Sequence, residues 1–201
     1  MPIKVFDINY DHPFGLAAGM DKKGESINGW QSIGLSFAEI GGVTMLEQGG
    51  NPKPRMFRST KNKALVNRMG FNNPGSEKMQ MSLEKHFEKF GKPNIPIWVN
   101  LGKSKLTKNS EAHIDYSTTL NRLWKYTDLF VINVSSPNTP NLRGLQSAEA
   151  LSAIINQVRS SMVKEVPVLV KIAPDLSKNE IDEIAEIARI TSVNGIIVSN
   201  T

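Results

Sequence analysis

Cysteine is absent from the 201-residue chain. Its absence excludes disulfides, thiolate metal sites and thiol nucleophiles, and no metal site is predicted. The sequence also has no apolar run near the roughly 20 residues that a membrane-spanning helix requires. Residues 1–14 contain no apolar stretch that ends in a small-residue cleavage site, so we predict no secretory signal peptide. These absences are compatible with a protein of the reducing cytoplasm.

The chain is moderately basic, with a formal net charge of +5 and a pI of about 9.4. Such a balance can indicate nucleic acid, an anionic membrane surface or acidic small molecules as partners. The Lys and Arg residues are scattered, and the densest basic stretch, residues 53–63, also holds Pro and Asn. Because no basic stripe interleaved with aromatic residues is found, we predict a solvated basic surface and no nucleic-acid binding.

Six short segments rich in Val, Ile, Leu or Phe predict β-strands. Most are continuous apolar runs rather than alternations, as expected for strands buried on both faces. They are residues 14–19, 37–44, 97–102, 129–136, 168–174 and 195–200. Helical spacing of apolar residues predicts helices at residues 23–33, 77–90, 111–126, 148–163 and 178–190. Ser177 precedes the last of these helices as its predicted N-cap.

The alternation of strands and helices predicts βαβ units and a parallel α/β sheet. Residues 45–96 are too long for one crossover, and we interpret them as an insertion over one end of the sheet. Polar residues follow the C-terminal ends of all six strands, which favours a (β/α)8 TIM barrel over a doubly wound sheet with one switch point. A closed barrel needs eight strands and typically ~250 residues. We therefore expect an incomplete barrel that contains strands one to six.

The segment Asn-Val-Ser-Ser-Pro-Asn-Thr, at residues 133–139, resembles the fourth-strand signature of the dihydroorotate dehydrogenase family. The resemblance is to the quinone-dependent members of the family, known as class 2. Further segments fit the family in the same order: GLAAGMDKKGE (15–25), NPKPRMFR (51–58), NRMGFNNPG (67–75), VNLGKSK (99–105), LVKIAPDLS (169–177) and VSNT (198–201). Several motifs in one order are far more specific than any single motif.

The resemblance implies that residues 1–201 form part of a TIM-barrel catalytic domain that binds flavin mononucleotide (FMN). Family members oxidise (S)-dihydroorotate to orotate in the synthesis of UMP. A proton leaves C5 of the substrate, a hydride passes from C6 to N5 of FMN, and a quinone is the final electron acceptor. By its position in the motif, Ser136 is the base. A serine hydroxyl is a poor base alone, so a relay through water or neighbouring hydroxyls must assist it.

The resemblance also implies a set of substrate-binding residues. Asparagine carries two amide donors and one acceptor, which suits a pyrimidine edge that alternates N–H and C=O. The positions that match the family's substrate contacts are Asn67, Asn133, Asn138 and Asn200, with Thr201 beside the last, and Arg68, Met69, Gly70 and Phe71 in the loop that approaches the substrate. Lys22 matches the charge for the substrate carboxylate, although its polar surroundings would equally suit a surface lysine.

A second set of residues matches the flavin contacts of the family: Ala18, Gly19, Met20, Asp21, Lys22, Gly42, Asn100, Asn133, Lys171 and Ser199. Lys171 lies within an apolar strand segment, where an unpaired ammonium would be costly. In the family this lysine lies near N1 and O2 of the flavin, where reduction builds negative charge. Gly19 lets the backbone approach the flavin because it has no Cβ. Gly42 departs from the hydroxyl residue usual at this position, so one flavin hydrogen bond is expected to be lost or replaced by water.

Two parts of the family's binding apparatus have no counterpart in this sequence. They are the glycine-rich loops after strands seven and eight, which hold the flavin phosphate, and the N-terminal helices that form the quinone tunnel and contact the membrane. We therefore expect this polypeptide alone to bind flavin weakly or not at all and to be inactive. The full-length protein is expected in the cytoplasm, peripheral on the inner face of the cell membrane if it is bacterial.

Two alternatives remain open from the sequence. One is another FMN-dependent oxidoreductase of the dihydropyrimidine type, which is disfavoured because such enzymes use cysteine as the acid or base. The other is a catalytically inactive truncated product that persists as a partly folded arc. A motif such as Ser-Ser-Pro-Asn, taken alone, is more often a turn with local side-chain hydrogen bonds.

Overall fold

The computed structural model describes residues 1–135 and 142–200, with the side chains of all of these except residues 142 and 143. The strands are β1 (Ile3–Val5), β2 (Ile8–Tyr10), β3 (Ala38–Val43), β4 (Met56–Ser59), β5 (Ala64–Asn67), β6 (Ile97–Leu101), β7 (Leu129–Asn133), β8 (Val168–Ile172) and β9 (Gly195–Val198). The helices are α1 (Ile27–Ser32), α2 (Gly75–Phe90), α3 (Ala112–Leu123), α4 (Ala148–Ser161) and α5 (Lys178–Ile190), and short 3-10 helices occupy Asn109–Glu111, Trp124–Tyr126 and Leu142–Gln146. Within the described residues, no helix has the length and hydropathy needed to cross a membrane.

Five parallel strands form the central sheet. β3, β6, β7, β8 and β9 lie side by side in chain order, and each neighbouring pair is parallel. The helices α2, α3, α4 and α5 fall in turn between these strands, so the predicted parallel α/β architecture is confirmed. At the start of α5, Ser177 Oγ accepts from Glu180 N at 3.3 Å, and Ser177 N donates to the Glu180 carboxylate at 2.8 Å. This capping box confirms the predicted helix start.

The first predicted strand, residues 14–19, runs parallel beside β3 but is not continuous: Leu16 N donates to Phe37 O at 3.0 Å and Gly19 N to Gly41 O at 2.8 Å, on either side of an interruption. The segment makes a single parallel bridge to the sheet, between Leu16 and Ala38. The next donor of a parallel ladder would be Ala18 N, but it donates to the side-chain carboxylate of Glu39 at 3.2 Å. A side chain therefore takes the place of a backbone partner, and the ladder beside β3 is interrupted.

The predicted insertion, residues 45–96, carries a hairpin and a helix. β4 and β5 pair antiparallel and expose four apolar side chains, those of Met56, Phe57, Leu65 and Val66. The helix α2 buries Met79 and Leu83 in the same core as Ile40 of β3. The sequence predicted the helix of this insertion and did not predict its hairpin.

A second hairpin, formed by β1 and β2, covers an apolar layer on one face of the central sheet. Phe6 and Ile8 pack against Leu129, Val131 and Leu169 on the face of the sheet that points away from the helices. The two turn residues of this hairpin have φ values of 55° and 59°. Two-residue hairpins favour such positive values, but they are usually marked by Asn-Gly or Asp-Gly, and the absence of that signal explains why this hairpin was not predicted.

Strand alternation places polar residues beyond this apolar layer. Successive side chains of a strand point to opposite faces, so Asn100 shares a face with Trp98, and Lys171 shares a face with Leu169. Asn133 similarly follows the inward apolar residues of β7 and pairs with Lys171 in the ladder to β8. The inner face of the sheet is therefore apolar towards the strand starts and polar towards the strand ends.

Candidate active site

Asn100 and Asn133 form the centre of a buried polar cluster at the C-terminal ends of the parallel strands. Their exposed fractions are 0% and 6%. Asn133 Nδ2 donates to Asn100 Oδ1 at 2.8 Å. A buried amide that lacks its partner costs about 1–3 kcal/mol, so this pairing fixes both side chains. The structure thus brings together two residues that were predicted to contact the flavin or the substrate.

Ser135 extends the cluster to Asn200. Ser135 N and Oγ lie 3.1 and 3.0 Å from Asn133 Oδ1. Ser135 Oγ also lies 2.5 Å from Asn200 Oδ1, and Asn200 Nδ2 donates to Ser135 O at 3.3 Å. A hydroxyl has one proton, so Ser135 Oγ donates to one of the two carbonyl oxygens at a time. Ser135 was not among the predicted residues, although it is a hydroxyl within the predicted motif.

Three predicted residues lie outside the described part of the chain, namely Ser136, Asn138 and Thr201. Their roles as base and substrate contacts stay predictions. Ser199 lies just beyond the end of β9 and is half-buried. Because β9 pairs with β8, the backbone of Ser199 follows the strand that neighbours Lys171.

Lys171 is a buried cation beside the amide pair. It is 3% exposed. Burial lowers the pKa of its ammonium, and the negative charge of Glu39 acts in the opposite direction. Among the described residues, no hydrogen-bond acceptor for Lys171 Nζ is found. The predicted buried position of this lysine is confirmed, and its ammonium retains the capacity to donate to a ligand.

Glu39 belongs to the same cluster and was not predicted. Its side chain is 4% exposed, and its Oε1 accepts from Asn100 Nδ2 at 2.7 Å. Its Oε2 accepts from the backbone N–H of Ala18, a predicted flavin contact, at 3.2 Å. The sequence contained a signal, since Glu39 is the one acidic residue of an otherwise uncharged strand segment. Lys171 was recognised by the same criterion.

The residues after Ala18 turn out of the sheet. Gly19 has a φ of 109°, a conformation that favours glycine. Met20 is 73% exposed. Asp21 is buried, and its carboxylate accepts two backbone N–H groups and one indole N–H from the segment that begins α1. These contacts give the Asp21 side chain a structural role, and its predicted contact with a flavin stays a prediction.

Lys22 lies in a separate cavity. Its Nζ donates to Asn72 Oδ1 at 3.2 Å, and burial, together with the positive charge of Arg55, lowers its pKa. The cavity has a volume of about 400 Å³ and is lined by Lys22, Asn72 and Gln48 among other residues of the described chain. The described residues that line it do not include Asn100 or the residues hydrogen-bonded to it. Among the described residues no hydrogen bond joins Lys22 to the buried cluster, and its predicted contacts with flavin and substrate stay predictions.

The predicted substrate loop begins at the β4–β5 hairpin. Asn67 and Arg68 are exposed. Asn67 Oδ1 accepts from Met69 N at 3.3 Å, and the Arg68 guanidinium donates to Pro54 O at 3.0 Å. Gly70 has a φ of 72° at the turn that follows. These contacts hold Asn67 and Arg68 on the hairpin, outside the buried amide cluster, and their substrate contacts stay predictions.

Phe71 is the member of this loop that reaches the strand ends. A Cβ added to Gly42 would lie 2.4 Å from Phe71 Cζ, and one added to Gly102 would lie 2.5 Å from Phe71 Cε1. The ring thus lies in the space that two missing side chains leave open. A Cβ at Gly42 would also lie 2.9 Å from Asn100 Oδ1, so the Phe71 ring lies near the amide cluster. This contact gives a packing reason for glycine at a position where the resembling family has a hydroxyl residue.

The whole chain, residues 1–201, matches the sequence model of a family described as Dihydroorotate dehydrogenase. A relative from Mycolicibacterium smegmatis, named dihydroorotate dehydrogenase (quinone), is 47% identical over 197 residues, which are 98% of this chain and 54% of the relative. A relative of the same name from Nostoc punctiforme is 48% identical over 199 residues, which are 98% of this chain and 52% of the relative. The chain spans about half the length of the curated relatives it matches.

Solved structures agree with this match. The crystal structure of DHODH in complex with ferulenol from Eimeria tenella has a TM-score of 0.91 and 35% identity, and covers 100% of this chain and 59% of its own. The ligand-free structure from the same organism has a TM-score of 0.91 and 36% identity, with coverages of 100% and 61%. The predicted TIM-barrel class is thereby confirmed, with the barrel incomplete in this chain. Sequence and fold together show that the chain belongs to the dihydroorotate dehydrogenase family.

Proposed function

We propose that this protein oxidises dihydroorotate to orotate in pyrimidine biosynthesis, with FMN as the hydride acceptor and a quinone as the final electron acceptor. The observation that carries the proposal is the buried cluster of Asn100, Asn133 and Lys171 at the strand ends, in a chain of this family. The names of the curated relatives support the quinone.

The amide groups of the cluster suit a planar pyrimidine acid. Asn133 Nδ2 uses one proton on Asn100 Oδ1 and keeps a second proton for a ligand carbonyl. Asn200, which is hydrogen-bonded to Ser135, adds a carbonyl and an amide at the same end of the sheet. For Lys22 and for residues 67–71 the proposed substrate contacts rest on the family resemblance.

The cluster also fits a flavin. Lys171 is a buried cation whose ammonium has no hydrogen-bond acceptor among the described residues, and a flavin ring offers carbonyl oxygens and ring nitrogens that accept. When bound, FMN supplies the acceptor for a hydride. Lys171, which is 3% exposed, would then hold a positive charge where negative charge develops. Asn100, Ser199 and the backbone of residues 18–22 are the further groups proposed to hold it.

Ser136 is the proposed base for the proton that leaves C5. As the hydride leaves C6, loss of this proton lets the C5–C6 double bond of orotate form. The support is its position directly after Ser135, whose hydroxyl lies within hydrogen-bonding distance of Asn133 and Asn200. The relay that a serine base requires is proposed to run through water or through neighbouring hydroxyls such as that of Ser135.

The quinone sets the proposed location. Quinones of electron transfer are apolar molecules of the bilayer, so an enzyme that reduces one must reach the membrane surface. We propose that the complete protein works from the cytoplasm and, in a bacterium, binds peripherally to the inner face of the cell membrane.

The proposal is tested on the protein expressed from its complete reading frame. We expect one FMN per chain, orotate formation with a short-chain ubiquinone as oxidant, and no oxidation of dihydrouracil, which lacks the carboxylate. Ser136→Ala should slow proton removal by about 10²–10⁴-fold with FMN still bound. A protein without flavin, or one that prefers dihydrouracil, would contradict the proposed function.

A further inference from the structure

Glu39 is the one side chain of the cluster that can only accept hydrogen bonds. It lies in β3 with 4% of its surface exposed, and a carboxylate at such a position must be fully partnered. One oxygen accepts from Asn100 Nδ2 at 2.7 Å. The other accepts from Ala18 N at 3.2 Å. Both partners are donors, as an ionised carboxylate requires.

This constraint determines the orientation of the amides beyond Glu39. Because Asn100 must present its NH₂ group to Glu39, its carbonyl oxygen points towards Asn133. Asn133 must then present its own NH₂ group to Asn100, and its carbonyl accepts from Ser135 N and Oγ. Ser135 N, an obligatory donor, holds the Asn133 carbonyl from the other end. Without the acceptor Glu39, Asn100 alone could turn by 180°, and its NH₂ group would then oppose that of Asn133.

We propose that Glu39 is a positioning residue that fixes the donor and acceptor directions of Asn100, and so keeps them matched to Asn133 and Ser135 at the candidate active site. The ligands that meet this chain, FMN and dihydroorotate, follow from the proposed function. The directional role itself rests on the hydrogen bonds. Its consequence is that the second proton of Asn133 Nδ2 always faces a ligand as a donor, which selects ligands with an acceptor at that point.

Glu39 also offsets the charge of Lys171. The carboxylate raises the pKa of the Lys171 ammonium against the opposite effect of burial. Two opposite charges inside one cluster stabilise each other more strongly than they would in water. The directional and electrostatic roles can be separated, since the first needs an acceptor at the position of each oxygen and the second needs only the negative charge.

Glu39→Gln tests the directional role with almost no change in volume. Glutamine offers one oxygen and one NH₂ group where the carboxylate offers two oxygens. Either Ala18 N or Asn100 Nδ2 therefore loses its acceptor. If Asn100 turns to avoid a facing pair of donors, its NH₂ group then opposes that of Asn133.

The double variant Glu39→Gln with Asn100→Asp should restore the direction. The introduced glutamine is then able to accept from Ala18 N and donate its NH₂ group to the new carboxylate. That carboxylate accepts from Asn133 Nδ2, as the Asn100 carbonyl does in the unsubstituted protein. The negative charge moves to the neighbouring strand β6, and every hydrogen bond of the chain has a donor and an acceptor.

The experiment follows hydrogen exchange of the Asn133 side-chain amide by NMR, in ¹⁵N-asparagine-labelled protein expressed from the complete reading frame. Glu39→Gln should speed this exchange about tenfold or more, the factor expected for one lost buried hydrogen bond. The double variant should return it to within about threefold of the original rate. FMN affinity should fall in Glu39→Gln, and Asn133 exchange alone is the measure of recovery in the double variant, because Asn100 is itself a proposed FMN contact.

Asp128→Asn is the matched control. Asp128 accepts from Ile97 N at 3.0 Å and from Lys92 Nζ at 2.7 Å, and it precedes β7 at the opposite end of the sheet. This substitution therefore also removes one hydrogen-bond acceptor. We expect it to change neither the hydrogen exchange of the Asn133 side chain nor the spectrum of bound FMN. This comparison separates a local directional effect from a general loss of stability.

Two results would overturn the inference. One is unchanged Asn133 exchange in Glu39→Gln, and the other is faster exchange that the double variant does not reverse. If the exchange data follow the expected pattern while the unsubstituted protein binds no FMN, the directional role of Glu39 holds and the proposed function fails. The two failures are therefore distinguishable in one set of measurements.

Discussion

Asp21 shows how one buried carboxylate can begin a helix. Its two oxygens accept from Glu25 N at 3.1 Å, from Ser26 N at 2.9 Å and from Trp30 Nε1 at 3.1 Å. The helix α1 has six residues, and the side chain of its N-cap residue Ser26 makes no capping hydrogen bond. Asp21 therefore fixes the two backbone N–H groups just before the helix and the indole of Trp30 within it, and so holds the start of α1 in place.

Asp21→Asn should destabilise the protein with little effect on FMN affinity. Asparagine replaces one carboxylate oxygen by an NH₂ group, so at least one of the three donors loses its acceptor, at a cost of roughly 1–3 kcal/mol. Urea unfolding measures the change in the free energy of unfolding, and fluorescence titration measures the FMN affinity. Asp11→Asn, at an exposed carboxylate, is the control. A tenfold weaker FMN affinity at unchanged stability would instead indicate a direct flavin contact.

His86 is expected to make the stability depend on pH. The ring is 9% exposed, and its Nε2 has no hydrogen-bond partner within the described residues. Burial lowers its pKa below the ordinary value of 6.5, while the charge of Asp21 opposes this shift. Between the lowered folded pKa and 6.5 the unfolded chain binds more protons, so the free energy of unfolding decreases as the pH falls through this range.

Replacement of His86 by Met should remove the part of the decrease in the free energy of unfolding at low pH that His86 causes. Methionine fills irregular apolar space and does not titrate. Urea unfolding at about pH 7.5 and about pH 5 should show a smaller decrease for His86→Met than for the unsubstituted protein. His113→Met on α3 is the control, since it shows how far replacement of any histidine by methionine changes the pH dependence of the free energy of unfolding. Equal decreases in the unsubstituted protein and in His86→Met would contradict the assignment.

At the scale of elements, the contact between Phe71 and two glycines joins the insertion to the central sheet. Gly42 lies in β3 and Gly102 directly follows β6, and a Cβ at either position would meet the Phe71 ring at 2.4 or 2.5 Å. Real Cβ atoms do not approach so closely, so the ring must move when either glycine gains a side chain. The loop that approaches the substrate in the family is thus held by packing against two strand ends.

Gly42→Ala should therefore cost roughly 1–3 kcal/mol of stability and should weaken FMN binding through the displaced ring. In a Phe71→Ala background the same substitution should cost less, because only the close contact with Asn100 Oδ1 remains, and the coupling energy should be about 0.5–3 kcal/mol. Gly29→Ala is the control, because a Cβ there meets nothing within 4 Å and Gly29 lies within α1. Urea unfolding of the unsubstituted protein, the two single variants and the double variant measures the coupling. Additive effects would mean that ring and glycine do not interact.

The regular elements were predictable where burial alone determines them. β6, β7 and β8 lie within the predicted apolar runs, because strands buried on both faces need continuous Val, Ile and Leu. The segment that contains Leu16 looked equally apolar, but the carboxylate of Glu39 takes the N–H of Ala18 and breaks the ladder. A strand ladder that a distant side chain interrupts cannot be recognised from local composition.

At the scale of the whole molecule, the site joins residues that are far apart in the sequence. Asn100 and Asn133 were predictable members because both lie near the ends of buried strands, and such ends meet at one edge of a parallel sheet. Lys22 and Asn67 lie on segments outside these strands, and their described hydrogen bonds are to Asn72 and Met69 rather than to members of the cluster. The strand ends could thus be predicted from the sequence pattern. The positions of the loops could not, because they depend on tertiary contacts that the pattern does not encode.

The last strand of the sheet, β9, has a free edge that is expected to affect the association state of the whole molecule. Among the described residues β9 pairs with β8 alone, and Ile196 and Val198 are 37% and 77% exposed. An apolar strand with one free edge is a template for pairing with another chain. The 201-residue polypeptide, expressed by itself, is therefore expected to self-associate as its concentration rises.

A charge on that edge should oppose the association, because a lysine on an edge strand would have to be desolvated or brought beside a like charge when two edges pair. We expect Val198→Lys to shift the weight-average mass in sedimentation velocity towards that of the monomer. Val163→Lys is the matched control, since Val163 is 65% exposed and lies between α4 and β8, outside any strand. Both variants add the same charge, so only an effect of edge position separates them. If Val163→Lys reduced association as much as Val198→Lys, the added net charge would be the cause, and the free edge of β9 would not be the contact between chains.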